Sequence, residues 1–417
     1  MNVFLYTFGC KANQYDTEVV RQRLEDAGCR VVPSPDGADA AVVNSCTVTH
    51  VGEGKMRALV RRLARRNPGI RTVVMGCAAA LDDGRIAALP NVAAVVPGAD
   101  DGAVARALAL PGGGAAESGL RRFASLSRAW LKIQDGCDEH CTFCATVLAR
   151  GASRSRLPED LVREARQLAA SHAEIVLTGV HIGTYGRDLE GRWTLSLLVA
   201  LLVEQVPGVR FRLTSVEATE LDDAMVALMA SVPDRVAPHL HAPLQSGSDR
   251  LLRRMGRHWY TAATYRRSVE RLAARVAPLG LGADILVGFP GESERDHRAT
   301  VRLVEDLPFT YLHVFPYSPR RGTAAPRLGP PPEGGAMRAR SAELRALGDA
   351  KAASHRRARA GGRADLVLEA RRGGEHEAVS EDYLSAKVPA DAPWVLGRTR
   401  VAARLVASGH ALRAVNA

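Results

Sequence analysis

The loop QDGCDEHCTFCATVLARG places Cys137, Cys141 and Cys144 in a CxxxCxxC pattern directly after a strand, RAWLKIQDGC, that opens a long alternation of strand and helix. The segments EIVLTGVHIG, VRFRLTSVE, PHLHAPLQSG, LGADILVGFPG and FTYLHVFPYSP read as further strands. Between them LPEDLVREARQLAA, DDAMVALMASV, YTAATYRRSVERLAARVAPLG and SERDHRATVRLVEDL carry the spacing of amphipathic helices. Strands joined by helical crossovers pair in parallel, so these six strands predict a partial (β/α)6 barrel. Functional groups in such a barrel gather at the carboxyl ends of the strands. The cysteine loop stands at the first of those ends and must wrap a compact group.

Residues 1 to about 110 repeat the alternation on a smaller scale. VFLYTF is a strand, and NQYDTEVVRQRLEDAG is a helix with Val20, Leu24 and Ala27 on one face, stopped at Gly28. AAVVNSC is a second strand and RTVVMGC a third. Between them Met56, Leu59, Val60 and Leu63 fall at i, i+3, i+4 and i+7, with Arg57, Arg61, Arg62 and Arg65 on the other faces. This is a small N-terminal parallel α/β domain, Rossmann-like in architecture. Cys10, Cys46 and Cys77 each follow one of its strands, at the edge where open α/β sheets build their sites, so three strand ends can bring them to one spot. The alternative is three buried core cysteines. Cys29 follows the helix stop and reads as a small packing residue.

Towards the other end, Arg338 to Arg372 carries ten Lys/Arg against four Asp/Glu in a helix and its exit. LVLEA, YLSAKV and GRTRVAARLVA then read as β, a small C-terminal β domain. PGGGAAESG near Gly113 and GPPPEGG near Pro331 read as linkers. The expected domains are 1–112, 123–350 and 351–417, in line with the two to four that 417 residues suggest.

The chain starts as a strand, without a basic leader, and no apolar run approaches the ~20 residues needed to span a bilayer, so no membrane association and a cytoplasmic location are expected. The 56 basic and 45 acidic side chains leave +11. That excess fits a polyanionic partner and equally an arginine-rich composition with no such partner. Seven cysteines, an odd number, argue against a disulfide framework and leave thiolates for metal. Iron–sulfur clusters usually take four thiolates. Three at this spacing leave one iron open to chelate the amine and carboxylate of S-adenosylmethionine (SAM), so that an electron reaches the sulfonium and a 5′-deoxyadenosyl radical is released. A zinc knuckle and unligated core cysteines are the competing readings. A CxxxCxxC opening a (β/α) series is far more specific than a lone CxxC.

These residues carry a family likeness. TFGCKANQYDTE, NSCTVT, GC after the third strand, the cysteine loop with ARGASRSR, TGVHIGTYG, LQSGSD, GFPGES and FPYSPRRGTAA occur in the order in which they stand in the radical SAM methylthiotransferases, which the chain resembles over essentially its whole length. The resemblance implies that the central domain is a radical SAM barrel, with Cys137, Cys141 and Cys144 holding one 4Fe-4S cluster. It implies a second 4Fe-4S cluster on Cys10, Cys46 and Cys77. It also places SAM near Gly179, near Ser215 and Glu217, near Gln245 with Ser246 and Gly247, and near Gly288 with Pro290 and Gly291. Each of these read singly is equally a turn residue or a strand end, so their joint placement carries the expectation.

The opening GCKANQYDTE is similar to the subfamily acting on N6-threonylcarbamoyladenosine in tRNA, whereas the isopentenyladenosine type favours GCQMN and the ribosomal-protein aspartate type GCPKN. Lys11, Asn13, Gln14, Tyr15 and Asp16 carry that distinction; otherwise Asn13 or Asp16 caps the helix and Tyr15 begins its apolar face. The expected activity is methylthiolation at C2 of the threonylcarbamoylated adenosine at position 37, beside the anticodon. One SAM would give a methyl group and another a radical, because an aryl C–H bond does not yield to acid/base catalysis. Implied partners are a tRNA anticodon stem-loop, an electron donor such as flavodoxin or ferredoxin, and a sulfur donor. The last domain resembles the TRAM barrel, which in this family grips tRNA, with Tyr383 to Val388 and Gly397 to Val406 carrying the match. No catalytic side chain is named by the sequence. Competing functions are the same chemistry on isopentenyladenosine or on a ribosomal-protein aspartate, and a non-catalytic tRNA-binding iron–sulfur protein.

Two departures stand out. After Cys144 the family pattern has an aliphatic residue, a variable one, proline and an aromatic, where this chain has Ala145, Thr146, Val147 and Leu148. That predicts a looser exit from the cysteine loop, although Arg150, Gly151 and Arg154 keep the downstream pattern. His140 replaces an aromatic and is given no ligand role.

Overall fold

The runs around AAVV and TVVM are apolar on both faces, and such strands are stable only in a sheet covered on both sides. A computed structural model describes residues 1–47, 50–110, 119–123 and 127–416, with the backbone alone of residues 50 and 51. Val48 and Thr49 of the NSCTVT motif and most of the PGGGAAESG segment lie outside the described residues. The two runs become β3 (Ala40–Ser45) and β4 (Arg71–Gly76). With β1 (Asn2–Thr7), β2 (Arg30–Val32) and β5 (Val92–Pro97) they form a five-stranded parallel sheet of order β2-β1-β3-β4-β5.

The sequence pattern pointed to three of these strands. The two it passed over are a three-residue edge strand and a segment ended by proline, too short or too weakly patterned to register. Alternate residues serve opposite faces. Val3, Val42 and Val73 pack with Val20 and Leu24 of α1 (Lys11–Asp26), and Phe4, Val43 and Val74 pack with Met56, Leu59, Val60 and Leu63 of α2 (His50–Arg66). Cys29 lies buried in the first of these layers, as a packing residue. The short helices α3 (Cys77–Ala80) and α4 (Asp101–Ala107) complete the unit.

The central strands form an arc. β6 (Arg128–Lys132) leads into the cysteine loop, whose neck is tied by an antiparallel pair, β7 (Gln134–Asp135) and β8 (Arg154–Ser155), on either side of α5 (Thr146–Arg150). Then follow α6 (Pro158–Ala169), β9 (Glu174–Thr178), α7 (Leu195–Gln205), β10 (Arg210–Leu213), α8 (Asp223–Ser231), β11 (His239–His241), α9 (Asp249–Arg254), α10 (Ala262–Arg275), β12 (Gly280–Val287), α11 (Glu294–Asp306) and β13 (Tyr311–Pro316). The parallel trios β10-β9-β6 and β11-β12-β13 are joined by the bridges Phe211↔Val236 and Ser215↔His241, giving the six-stranded partial barrel expected. Its core is one continuous apolar cluster. The arc stays open between β6 and β13, and α1 packs beside β6.

The basic run that reads as one helix and its exit divides in two. α12 (Gly334–Arg359) takes in the glycines of GPPPEGG, and Arg363–Arg372 forms β14, because Gly361 at φ +85° ends the helix. β14 closes a barrel of order β14-β15-β16-β18-β17 with β15 (Glu375–Val379), β16 (Ser385–Pro389), β17 (Arg400–Ser408) and β18 (Ala411–Asn416).

This barrel docks at the amino ends of β6, β9 and β10 through charge. Glu174, fully buried, accepts Arg210 Nε at 2.6 Å and Arg212 Nε at 2.8 Å, and lies 3.5 Å from Arg128 Nη1. The same arginines reach across to Asp365, to Glu369 and to the Ser380 carbonyl. Each arginine is paired with a carboxylate, which is the condition for burying ions at all, while Arg128 Nη1 and Arg210 Nη2 have no hydrogen-bond partner among the described residues.

Candidate functional site

Three strand ends meet at one amide. Asn13, in the first turn of α1, donates from Nδ2 to the carbonyl oxygens of Phe8 and Ser45, each at 3.0 Å, and to Asn44 Oδ1 at 3.2 Å. Its Oδ1 lies 3.7 Å from Cys10 Sγ and 3.8 Å from Cys77 Sγ. One buried side chain therefore joins the loops after β1 and β3 to the turn that opens α3. Gly9, at φ +109°, allows the approach, since a Cβ there would stand 2.9 Å from Cys46 Cβ. The helix is capped by Cys10 without a side-chain bond, so neither Asn13 nor Asp16 is a cap.

The other NQYD side chains dock α1 on the central domain. Trp130 Nε1 donates to Gln14 Oε1 at 2.6 Å, Tyr15 OH donates to Glu164 at 3.0 Å, and Asp16 pairs with Lys132 and with Arg150 at 2.9 Å. The motif that reads as a subfamily signature is, in the structure, an interdomain contact.

The CxxxCxxC loop is held from several sides. Thr142 N donates to the Met255 carbonyl at 2.8 Å, and the Cys137 N–H to Gly151 O at 3.1 Å. The expected looser exit is corrected: the chain goes straight into α5, with Ala149 N bonded to Ala145 O and Gly151 N to Val147 O. That helical turn ends on Arg150, which spans both cysteine groups. Its Nε lies 3.3 Å from Cys77 Sγ, its Nη1 donates to Asp135 at 2.8 Å, and its Nη2 donates to Asn13 Oδ1 at 2.7 Å and to Asp16. His140 is exposed.

Cys10, Cys46, Cys77, Cys137, Cys141 and Cys144 all line one cavity of about 660 Å³. Burial pushes the Cys77 thiol up to about 11 against the pull of Arg150, and Cys141 to about 12 against that of Arg257, whose Nη1 lies 3.4 Å from its sulfur. A guanidinium can only donate, so it suits an anionic sulfur far better than a buried neutral thiol. Six sulfurs on two walls, two of them met by guanidinium groups, fit metal-bound thiolates.

Gly179, Ser215, Glu217 and Gln245 line the same cavity. Glu217 is buried, and Arg257 holds its Oε1, while its Oε2 has no hydrogen-bond partner among the described residues. An orphaned buried carboxylate oxygen fits a cationic ligand group such as an ammonium. Gly179 is needed for packing as well, because a Cβ would stand 2.5 Å from the Gln134 carbonyl. Ser246, Gly247, Pro290 and Gly291 stand off the cavity wall, as does Gly288. Gly288 at φ +81° donates its N–H to Glu292 Oε2, and a Cβ there would meet the Met337 side chain. It shapes a turn.

The deeper wall escaped the sequence reading. Lys11, His239, His241, Asp284, Tyr311 and His313 line it, with Tyr383 from the C-terminal barrel. Tyr311 OH lies 2.9 Å from His239 Nε2 and 3.1 Å from His241 Nδ1, and Asp284 pairs with His241 at 2.9 Å. Tyr383, at φ +69°, stacks on His239 with centroids 4.3 Å apart. The signal was the alternation in HLH, two histidines on one face of β11, and Asp284 opposite His313 in register.

Among the described residues, no helix is long and apolar enough to cross a membrane. Residues 2–98 match the family described as uncharacterized protein family UPF0004, and residues 131–304 match the radical SAM superfamily. The threonylcarbamoyladenosine tRNA methylthiotransferase MtaB of Bacillus subtilis is 38% identical over 343 residues, 78% of this chain and 75% of that protein. Its namesake in Thermotoga maritima is 36% identical, covering 82% and 79%. The tRNA-2-methylthio-N(6)-dimethylallyladenosine synthase of Dictyoglomus thermophilum is 32% identical, covering 77% of each. Among solved structures, the radical S-adenosylmethionine methyltransferase TsrM of Kitasatospora setae, with cobalamin and a 4Fe-4S cluster bound, aligns with a TM-score of 0.55 at 15% identity, covering 76% of this chain and 74% of that one. The likeness is one of fold.

Proposed function

This chain belongs to the radical SAM methylthiotransferase family, and on that premise we propose that it adds a methylthio group to C2 of N6-threonylcarbamoyladenosine at position 37 of tRNA. The observation that carries the reading is the meeting of two cysteine triplets, from separate sheets, on one cavity of about 660 Å³. The names of the relatives at 38% and 36% identity support the choice of nucleoside. Cys10, Cys46 and Cys77 would hold one 4Fe-4S cluster and Cys137, Cys141 and Cys144 the other, with Gly179, Ser215, Glu217 and Gln245 beside SAM. Bound there, these groups would supply one-electron chemistry and the methyl to be transferred, with the sulfur brought by a separate donor.

The chain's own residues provide the setting. Arg257 fixes one oxygen of Glu217 and leaves the other for an ammonium donor. Gln134 Oε1 accepts from Val180 N and His181 N, at 3.1 and 2.9 Å, holding the loop after β9 against the cavity. Arg150 and Arg257 donate to sulfur and balance negative charge on the two walls. A cavity lined by three structural units would take in a single unstacked base. Arginines and lysines on the C-terminal barrel, such as Arg372, Lys387 and Arg404, would meet phosphates with salt-dependent affinity and no base preference.

Nucleoside mass spectrometry of a deletion strain is the test. Loss of the 2-methylthio form with threonylcarbamoyladenosine retained, and its return on complementation, is expected. A deletion strain that keeps 2-methylthio-threonylcarbamoyladenosine, or loses the methylthio form of isopentenyladenosine instead, would refute the reading.

A further inference from the structure

Arginines on the cavity wall are matched by acids: Arg150 by Asp16 and Asp135, Arg257 by Glu217. Lys11 is different. Its ammonium has no hydrogen bond or ion pair among the described residues, and its contact is the face of Trp130, 5.9 Å from the ring centroid. The charges acting on it are Arg128 and Arg212 on one side and Glu174 and the neighbouring Cys10 on the other. Glu174, the carboxylate whose charge acts on it among the described residues, is already taken by those two arginines and by Arg210.

The same wall has a second orphan. His239 is 2% exposed, stacks on Tyr383, and has an Nδ1 with no hydrogen-bond partner. A half-buried ammonium without a hydrogen-bond partner and an unpartnered ring nitrogen on one wall suit an anion. The anion that fits is one the target base carries, because backbone phosphates stay with the strand and the SAM carboxylate belongs on the open iron of the Cys137, Cys141 and Cys144 triplet.

We infer that Lys11, with His239 on the same wall, receives the carboxylate of an amino-acid substituent on N6 of the target adenine. The inference rests on the proposed substrate and names the residue that selects it. A threonylcarbamoyl group brings a carboxylate to Lys11. An apolar dimethylallyl group would bury the ammonium with nothing to pair it, and a site built around a polar partner rejects the analogue that lacks it.

The test is equilibrium binding of fluorescent anticodon stem-loops to the reconstituted protein under anaerobic conditions. Three RNAs are compared, carrying threonylcarbamoyladenosine, its carboxamide analogue and dimethylallyladenosine. The wild type should prefer the carboxylate over the carboxamide by about tenfold to a hundredfold, the scale of one hydrogen bond to a charged group. In Lys11→Met the ratio should fall to about one, and Lys11→Arg should restore part of it. A ratio that persists in Lys11→Met overturns the inference alone, and so does a wild type that binds the carboxamide equally well, whatever the variants do. A wild type without preference for threonylcarbamoyladenosine over dimethylallyladenosine overturns the substrate reading and the inference with it.

Discussion

The two cysteine triplets face one cavity but are built in opposite ways. Cys137, Cys141 and Cys144 lie within one loop, and the antiparallel pair at its neck brings them together locally. Cys10, Cys46 and Cys77 come from three strand ends, and their nearness depends on parallel strand pairing and on Asn13. A local triplet needs little from the rest of the fold. An assembled one fails whenever any strand end moves, so its supporting residues should tolerate substitution least.

The largest effect should come from the local triplet. Cys141→Ala should lower SAM cleavage by more than about a thousandfold, the scale of losing a non-redundant catalytic group, measured as deoxyadenosine from SAM and a reductant. Its iron should fall from about eight to about four per chain. Retained cleavage would undo the division between the triplets. Cys77→Ala should lose a similar amount of iron and all methylthiolated product, with deoxyadenosine formation kept within about tenfold of wild type. Equal loss of both activities would mean that the two triplets do not act separately.

Arg150→Met tests the link between them. It leaves buried Asp16 and half-buried Asp135 with one cation fewer, and breaking such a network should cost about 3 kcal/mol in urea unfolding. A cost under about 1 kcal/mol would show that the triplets are supported independently. The smallest effect is expected at Cys29, packed among Val3, Val20 and Leu24. Cys29→Ala should change stability by about 1 kcal/mol or less and leave the iron content as it was. Iron loss here would bring a seventh cysteine into the comparison.

The strands that carry the site were legible because their signals are local. The CxxxCxxC spacing, the helical period of Met56, Leu59, Val60 and Leu63, and a cysteine after each of three strands can all be read within a short window. So could the six-strand alternation. The basic run after Arg338 reads as a helix and its exit with LVLEA as β, and the structure sets the division at Gly361, between α12 and β14. At Ala145 to Leu148 the departure from the family pattern predicts looseness, whereas the structure has a helical turn there that carries Arg150.

The sequence alone determined the types of chemical group and their order: thiols for metal, glycine turns at strand ends, and alternating strands and helices. Which groups share a space was decided by the tertiary structure. Arg150 reaches Asn13 across 137 positions, Tyr383 enters from a separate barrel to stack on His239, and Lys11 comes to lie over the ring of Trp130. Periodicity and spacing record forces within a few residues along the chain. Desolvation and charge pairing depend on distance in space, and only the folded chain sets that distance.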